Sequence, residues 1–252
     1  MDRAHALRRL HAIAGMSRYR AASGSFALGA RLPALARGSV HEIFAAERQD
    51  APAAAGFVTG LVLIAGSGNR PALWVRHAGK RDGALYGDGL AALGFDPTTL
   101  IYLPLGDEKD ALRAAREGLR CDGLACVVIE IAGPARLLDL SATRRLKLAA
   151  AEHGVTALIL RSGAVPGPSA AETRWRVATA LSASPGLELP GKPAFTVTLL
   201  KHRTAGTGRN WDLEWDHETR QFNPKSLSRP LAALSFDRTH HADREGIRAR
   251  AG

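Results

Sequence analysis

Between residues 39 and 160 short apolar runs alternate with stretches in which apolar residues recur every three or four positions, the pattern of strands alternating with helices. Ser39-Val40-His41-Glu42-Ile43-Phe44 predicts a strand, and Phe57, Leu61 and Ile64 share one face of the helix expected after it. Residues 71–75 and 100–103 predict two more strands. Residues 106–120 predict a helix with Leu112, Ala115 and Leu119 inward; Asp107 and Glu108 at its start and Arg116 and Arg120 at its end suit the helix dipole. The run 124–131 is almost wholly apolar, as a strand buried on both faces of a parallel sheet should be. A helix over 140–153, capped by Asp139 or Ser141, and a buried strand over 155–160 follow. The sum is a βαβαβ core with right-handed crossovers.

After Ser162 the pattern changes. A Gly/Pro loop over 163–168 leads to the polar-aromatic run Glu172-Thr173-Arg174-Trp175-Arg176. Residues 194–201 and 211–215 predict two strands joined through the Gly-rich turn 204–209 as an antiparallel hairpin. Trp211, Leu213 and Trp215 fall on one side of the second strand, either against a helix or as a base-stacking surface. From Asn223 periodicity is lost, and an Arg-, His- and Ser-rich tail predicts a flexible segment. At the other end, Leu7, Leu10 and Ala14 follow helical spacing among arginines. The expected organisation is a basic amphipathic segment (1–22), a core domain (23–222) and a basic tail (223–252).

Composition adds limits. The 252 residues suit one α/β domain with extensions. No apolar run approaches the ~20 residues that span a bilayer, and no apolar leader opens the chain, so the expectation is a cytoplasmic protein without a membrane partner. Two cysteines, Cys121 and Cys126, cannot complete a zinc site; reduced structural thiols and no metal are expected. The formal charge of +10 favours anionic partners without choosing between nucleic acid and an acidic protein surface.

Strand, loop and helix between residues 38 and 65 come in the order that builds a phosphate-binding P-loop. That device needs glycines whose N–H groups surround the phosphates, then a Lys and a Ser/Thr. The connecting residues 45–55, Ala-Ala-Glu-Arg-Gln-Asp-Ala-Pro-Ala-Ala-Ala, contain none of these. The segment, marked by Ala45, Glu47, Asp50 and Ala53, reads as a degenerate P-loop with no cofactor. If the helix begins near Ala51, Asp50 is placed to cap it, and Pro52 suits its first turn.

The stretch 32–44, ending in His41-Glu42-Ile43-Phe44, resembles the entry to the nucleotide-binding strand of RecA proteins, and Leu93-Gly94-Phe95-Asp96-Pro97-Thr98-Thr99-Leu100 resembles the turn before a later RecA strand. Further matches are Leu73-Trp74-Val75-Arg76, Gly83-Ala84-Leu85-Tyr86-Gly87, Pro168-Ser169-Ala170-Ala171-Glu172-Thr173-Arg174-Trp175-Arg176 and Leu213-Glu214-Trp215-Asp216-His217. Together, over about residues 23–222, they are similar to the ImuA family, RecA-related accessory proteins of the ImuA–ImuB–error-prone DnaE polymerase mutagenesis cassette.

The resemblance implies an α/β, RecA-like core: a mostly parallel sheet flanked by helices, with a C-terminal antiparallel hairpin. It implies a role under SOS control in translesion synthesis, with an ImuB-like Y-family polymerase homologue as partner and RecA and weakly bound single-stranded DNA as further ones. Other readings are a SulA-like or RecA-filament inhibitor and a divergent ATPase. Against an enzyme, Arg76-His77-Ala78-Gly79-Lys80-Arg81 follows the second core strand where a RecA ATPase has its catalytic glutamate, and Arg161-Ser162 stands at the sensor position. Glu130 alone resembles a Walker B acid, and without a P-loop it reads more readily as a carboxylate at a strand end paired with a nearby arginine. The expected partner-binding residues are Arg174, Trp175 and Arg176, with Arg229 and Arg238 in the tail. Trp175 has a second reading as a buried packing residue with solvated arginines beside it.

Overall fold

A computed structural model of the chain describes residues 24–29, 31–66, 70–77, 79, 83–182 and 191–225, together with Arg8 and Ala12. Most of the expected N-terminal helix, and Arg229 and Arg238 of the tail, lie outside the described residues. The strands are β1 (Ser25–Phe26), β2 (Leu35–Ala36), β3 (Val40–Ala45), β4 (Ala72–His77), β5 (Leu100–Pro104), β6 (Cys126–Ala132), β7 (Thr156–Ser162), β8 (Thr173–Thr179), β9 (Ala194–His202), β10 (Asn210–Asp216) and β11 (Gln221–Pro224). The helices are α1 (Ala51–Ala65), α2 (Gly87–Ala92), α3 (Glu108–Leu119) and α4 (Leu140–His153).

Nine strands form one sheet in the order β11-β10-β9-β8-β3-β7-β6-β4-β5. From β8 to β5 all neighbours are parallel, and β9, β10 and β11 extend the sheet antiparallel. Alternation along the strands divides the core in two. Ile43, Trp74, Val128, Leu158 and Trp175 face α1; Val40, Leu73, Val127, Ile129 and Ile159 belong to the second cluster, with residues of α3 and α4.

The helix starts follow from short polar side chains. Asp107 accepts from the Asp110 amide at α3, and Asp139 from the Ala142 amide at α4, so Asp139 rather than Ser141 is the cap. Gly154 closes α4 in the left-handed conformation that glycine adopts without steric cost.

Two elements depart from the sequence expectation. The run 173–179, given no element in the sequence and read as a partner-binding surface, is an interior strand, β8, and β11 carries the sheet past Phe222 to Pro224. Both serve α1. Phe57 on that helix meets Trp175, Phe195 and Phe222 with ring centroids 6.4, 6.0 and 4.7 Å away. Gly60, one turn on, leaves room for the rings of Phe222 and Trp215. Trp215 is buried with Leu213, and Trp211 is partly buried beside them, so this face packs on the core. Cys121 and Cys126 are free and buried, and burial pushes the Cys126 thiol up to about 12.

Candidate functional site

The C-terminal ends of the parallel strands form the edge where α/β sheets place their ligands. At that edge β3 passes through Ala46, whose amide donates to Val177 O, and a single 3₁₀ turn over Arg48–Asp50 directly into α1. The helix begins at Ala51, so residues 51–55 of the connecting segment belong to it and Ala53 is part of its first turn. Pro52 sits in that turn as anticipated.

Asp50 precedes the helix but does not cap it with its side chain. Its Oδ1 accepts the Thr179 amide at the end of β8 (2.9 Å) and its Oδ2 the Glu47 amide (3.1 Å). The physical reason is proximity: β8 lies beside β3, so its terminal N–H reaches the carboxylate from outside the helix. Burial raises the Asp50 pKa, and the amide hydrogen bonds outweigh it, leaving the group below the ordinary carboxylate value. The position therefore holds a fixed anion beside a helix N-terminus, where phosphate binds in P-loop proteins.

Glu130, near the end of β6, is committed on both oxygens. Arg76 Nε donates to Oε1 and Trp74 Nε1 to Oε2, each at 2.8 Å. Arg76 and Glu130 lie opposite one another across the β4–β6 pair, so register alone brings them together. Burial disfavours the Arg76 charge, and the hydrogen bond and charge of Glu130 more than restore it. Held by a guanidinium and an indole N–H, Glu130 is a poor ligand for Mg²⁺. At the neighbouring strand end, Arg161 Nη2 donates to Gly133 O (3.1 Å) instead of presenting an amide to a nucleotide. A cleft of about 360 Å³ remains here, lined by Arg48, Gln49, Pro52, Arg76, Glu130 and Ser162 among others. Among the described residues no group of three or more His, Cys, Asp or Glu is arranged to hold a metal ion.

The expected partner-binding run separates into inward and outward residues. Trp175 is fully buried against Phe57 and Trp211, with Nε1 donating to Thr173 Oγ1 (2.8 Å), so its use as an exposed anchor is corrected. The cause is period-two alternation: Thr173, Trp175 and Val177 point into the core. Arg174 Nε lies 2.7 Å from the buried Glu42 Oε2, a charge pair without an aligned hydrogen bond, and its Nη2 donates to Gly167 O. Arg176 alone of the three is exposed.

Sequence reasoning missed the network behind Trp175. His41 Nε2 bonds Ala36 O (2.9 Å), and Nδ1 pairs with Thr173 Oγ1 (2.8 Å). With the proton on Nε2, Trp175, Thr173 and His41 form one satisfied donor chain. Burial pushes the His41 pKa down to about 4, keeping the ring neutral. Glu108 was missed too: its carboxylate accepts the amides of Arg136, Leu137 and Leu138 at 3.1, 2.9 and 3.0 Å. Only its place at a helix start was visible in the sequence.

No protein-family model matches the chain. It is 34% identical over 195 residues to protein ImuA of Caulobacter vibrioides NA1000 / CB15N, covering 70% of this chain and 75% of that protein, with the same values for protein ImuA of strain ATCC 19089 / CIP 103742 / CB 15. Among solved structures it is similar in fold to the crystal structure of the RadB recombinase, with 15% identity and a TM-score of 0.50 over 75% of this chain and 92% of that one. The fold is RecA-like, and by identity and coverage the chain belongs to the ImuA family.

Proposed function

We propose that the chain is a non-catalytic, RecA-like adaptor in damage-induced translesion synthesis, acting in the cytoplasm through an ImuB-like Y-family polymerase homologue and through RecA. Family membership supports the pathway. The observation that carries the non-catalytic part is the occupied strand edge: Asp50 stands before α1, and Glu130 is held by Arg76 and Trp74. Between β3 and α1 no glycine N–H cradle, Lys or Ser/Thr is available for phosphates. An adaptor needs a stable scaffold and a docking surface, and both survive the loss of nucleotide chemistry.

The test is thermal unfolding with ATP and Mg²⁺. A ligand that binds only the native state raises Tm as its concentration passes Kd, by about 2.7 kcal/mol of stability at 100 Kd. The expected result is no shift and no phosphate release at millimolar ATP. A saturable rise in Tm would overturn the non-catalytic reading in favour of a divergent ATPase, and failure of the purified chain to bind an ImuB-like protein would overturn the adaptor reading.

A further inference from the structure

Glu42 is buried on β3, and an arginine meets it from the strand on either side. Arg174 of β8 stands opposite Glu42 in the register, with Nε 2.7 Å from Oε2. On β7 the residue opposite Glu42 is Ile159, so Arg161, two positions on, projects from the same face, the one that α3 and α4 cover. Burial draws the Arg161 pKa down, and the charge of Glu42, followed by that of Glu108, opposes it. Glu108 is already spent, its two oxygens accepting the amides of Arg136, Leu137 and Leu138. The other cations nearby are engaged or in solvent: Lys201 donates to Ala171 O, and Arg176 is exposed. Two largely buried guanidiniums thus share one carboxylate.

The sharing is incomplete. Among the described residues four buried side-chain atoms have no hydrogen-bond partner, and three of them are here: Glu42 Oε2, Arg161 Nε and Arg174 Nε. A half-satisfied buried network is costly, and giving the carboxylate wholly to either guanidinium would satisfy that one better. Each arginine also holds a different loop. Arg161 Nη2 donates to Gly133 O, at the base of residues 133–139 after β6 (3.1 Å). Arg174 Nη2 donates to Gly167 O, within residues 163–172 after β7. The strand ends themselves are tied by the Gly133 amide donating to Ser162 O (2.7 Å). A change of partner at Glu42 therefore moves side chains and loop bodies and leaves the strands in place.

We infer that Glu42 is a shared latch for which the two loops compete, the first through Arg161 and the second through Arg174. With Arg174 on the carboxylate, the second loop is fastened and Arg161 lacks part of its counter-charge. When Arg174 leaves with its loop, the carboxylate passes to Arg161 and the first loop tightens. Both loops rim the strand edge where α/β sheets place their ligands. A ligand that draws off one loop therefore steadies the other, and the coupling is reciprocal.

The experiment is hydrogen exchange on the full chain, read residue by residue by NMR. The reporters are the Glu108-bound amides of Arg136, Leu137 and Leu138 in the first loop, and in the second the Ala170 amide, which donates to Thr143 Oγ1. Arg174→Met should speed exchange at Ala170 about 10-fold and slow it at residues 136–138 about 3-fold. Arg161→Met should do the reverse. Both variants leave one guanidinium on one carboxylate, so the fold is kept, and a native amide spectrum verifies it. Glu42→Gln strands both arginines and should speed exchange in both loops. If each arginine variant loosens both loops, backbone links rather than the carboxylate couple them. If each changes only its own loop, Glu42 is not shared. Either pattern overturns the inference, as does parental exchange in both loops of a folded Glu42→Gln; if that variant does not fold, the two arginine variants decide alone.

Discussion

Replacing His41 with glutamine should flatten the acid limb of the stability curve. In the native protein the ring is buried, neutral and hydrogen-bonded at both nitrogens, and its pKa is about 4. In the unfolded chain histidine titrates near 6.5. A folded pKa below the unfolded one means that protonation favours unfolding, so the contribution is intact above about pH 6.5 and is lost progressively down to about pH 4. A gap of about 2.5 units at about 1.4 kcal/mol each amounts to about 3 kcal/mol over that window. Burial is the dominant cause, opposed by the Ala36 carbonyl and Glu172, while His202 and Lys147 push the same way as burial. The glutamine amide can still donate to Ala36 O but leaves the Thr173 hydroxyl without its acceptor, at a cost of about 1–3 kcal/mol at neutral pH. Urea unfolding followed by tryptophan fluorescence, for parent and variant at several values between about pH 7.5 and pH 4, reads the difference directly. Other titrating groups cancel in it. The parental advantage should shrink by about 3 kcal/mol on acidification. A difference that stays constant with pH would show that His41 does not titrate as its burial requires.

At Gly60 an added Cβ would lie 2.5 Å from Phe222 Cζ and 3.0 Å from the Trp215 ring. Gly60→Ala should therefore destabilise by about 1–3 kcal/mol of overpacking, outweighing a helix-propensity gain of up to about 1 kcal/mol; a variant more stable in urea than the parent would refute this packing. Asp50→Ala should cost about 1–3 kcal/mol by stripping the Thr179 and Glu47 amides of their acceptor, read as a lower Tm with ImuB-type binding intact, and parental stability would mean that the carboxylate is dispensable.

The parallel core was legible because long apolar runs such as 124–131 have few other fates than a doubly covered strand. The placement of α1 was legible from its own periodicity: Phe57 and Leu61 recur at helical spacing and both are buried. β8 was missed although Thr-Arg-Trp-Arg-Val alternates strictly, because its outward arginines drew the segment toward a surface reading. One of those arginines is neutralised by Glu42, a partner that sequence distance hides. Asp50 shows the same limit. Its place before the helix could be read locally, but its partner Thr179 is 129 residues away and becomes a neighbour only when β8 docks on β3. The site was thus legible as a loss of phosphate ligands, and illegible in what had replaced them.

Gly29, with φ of +150°, brings its backbone against Phe222, where an added Cβ would lie 1.9 Å from the carbonyl oxygen, and the Phe222 amide donates to Leu28 O. The first and last parts of the fold are thereby laced together across nearly its whole length. Long-range closures of this kind are entropically expensive and late. During synthesis α1 emerges early, and its aromatic-binding face waits for Phe222 until almost the entire domain has been made. A chain that stops before β11 leaves Phe57 and Trp215 without the Phe222 ring that packs against both, so that face of α1 is completed only when β11 is in place.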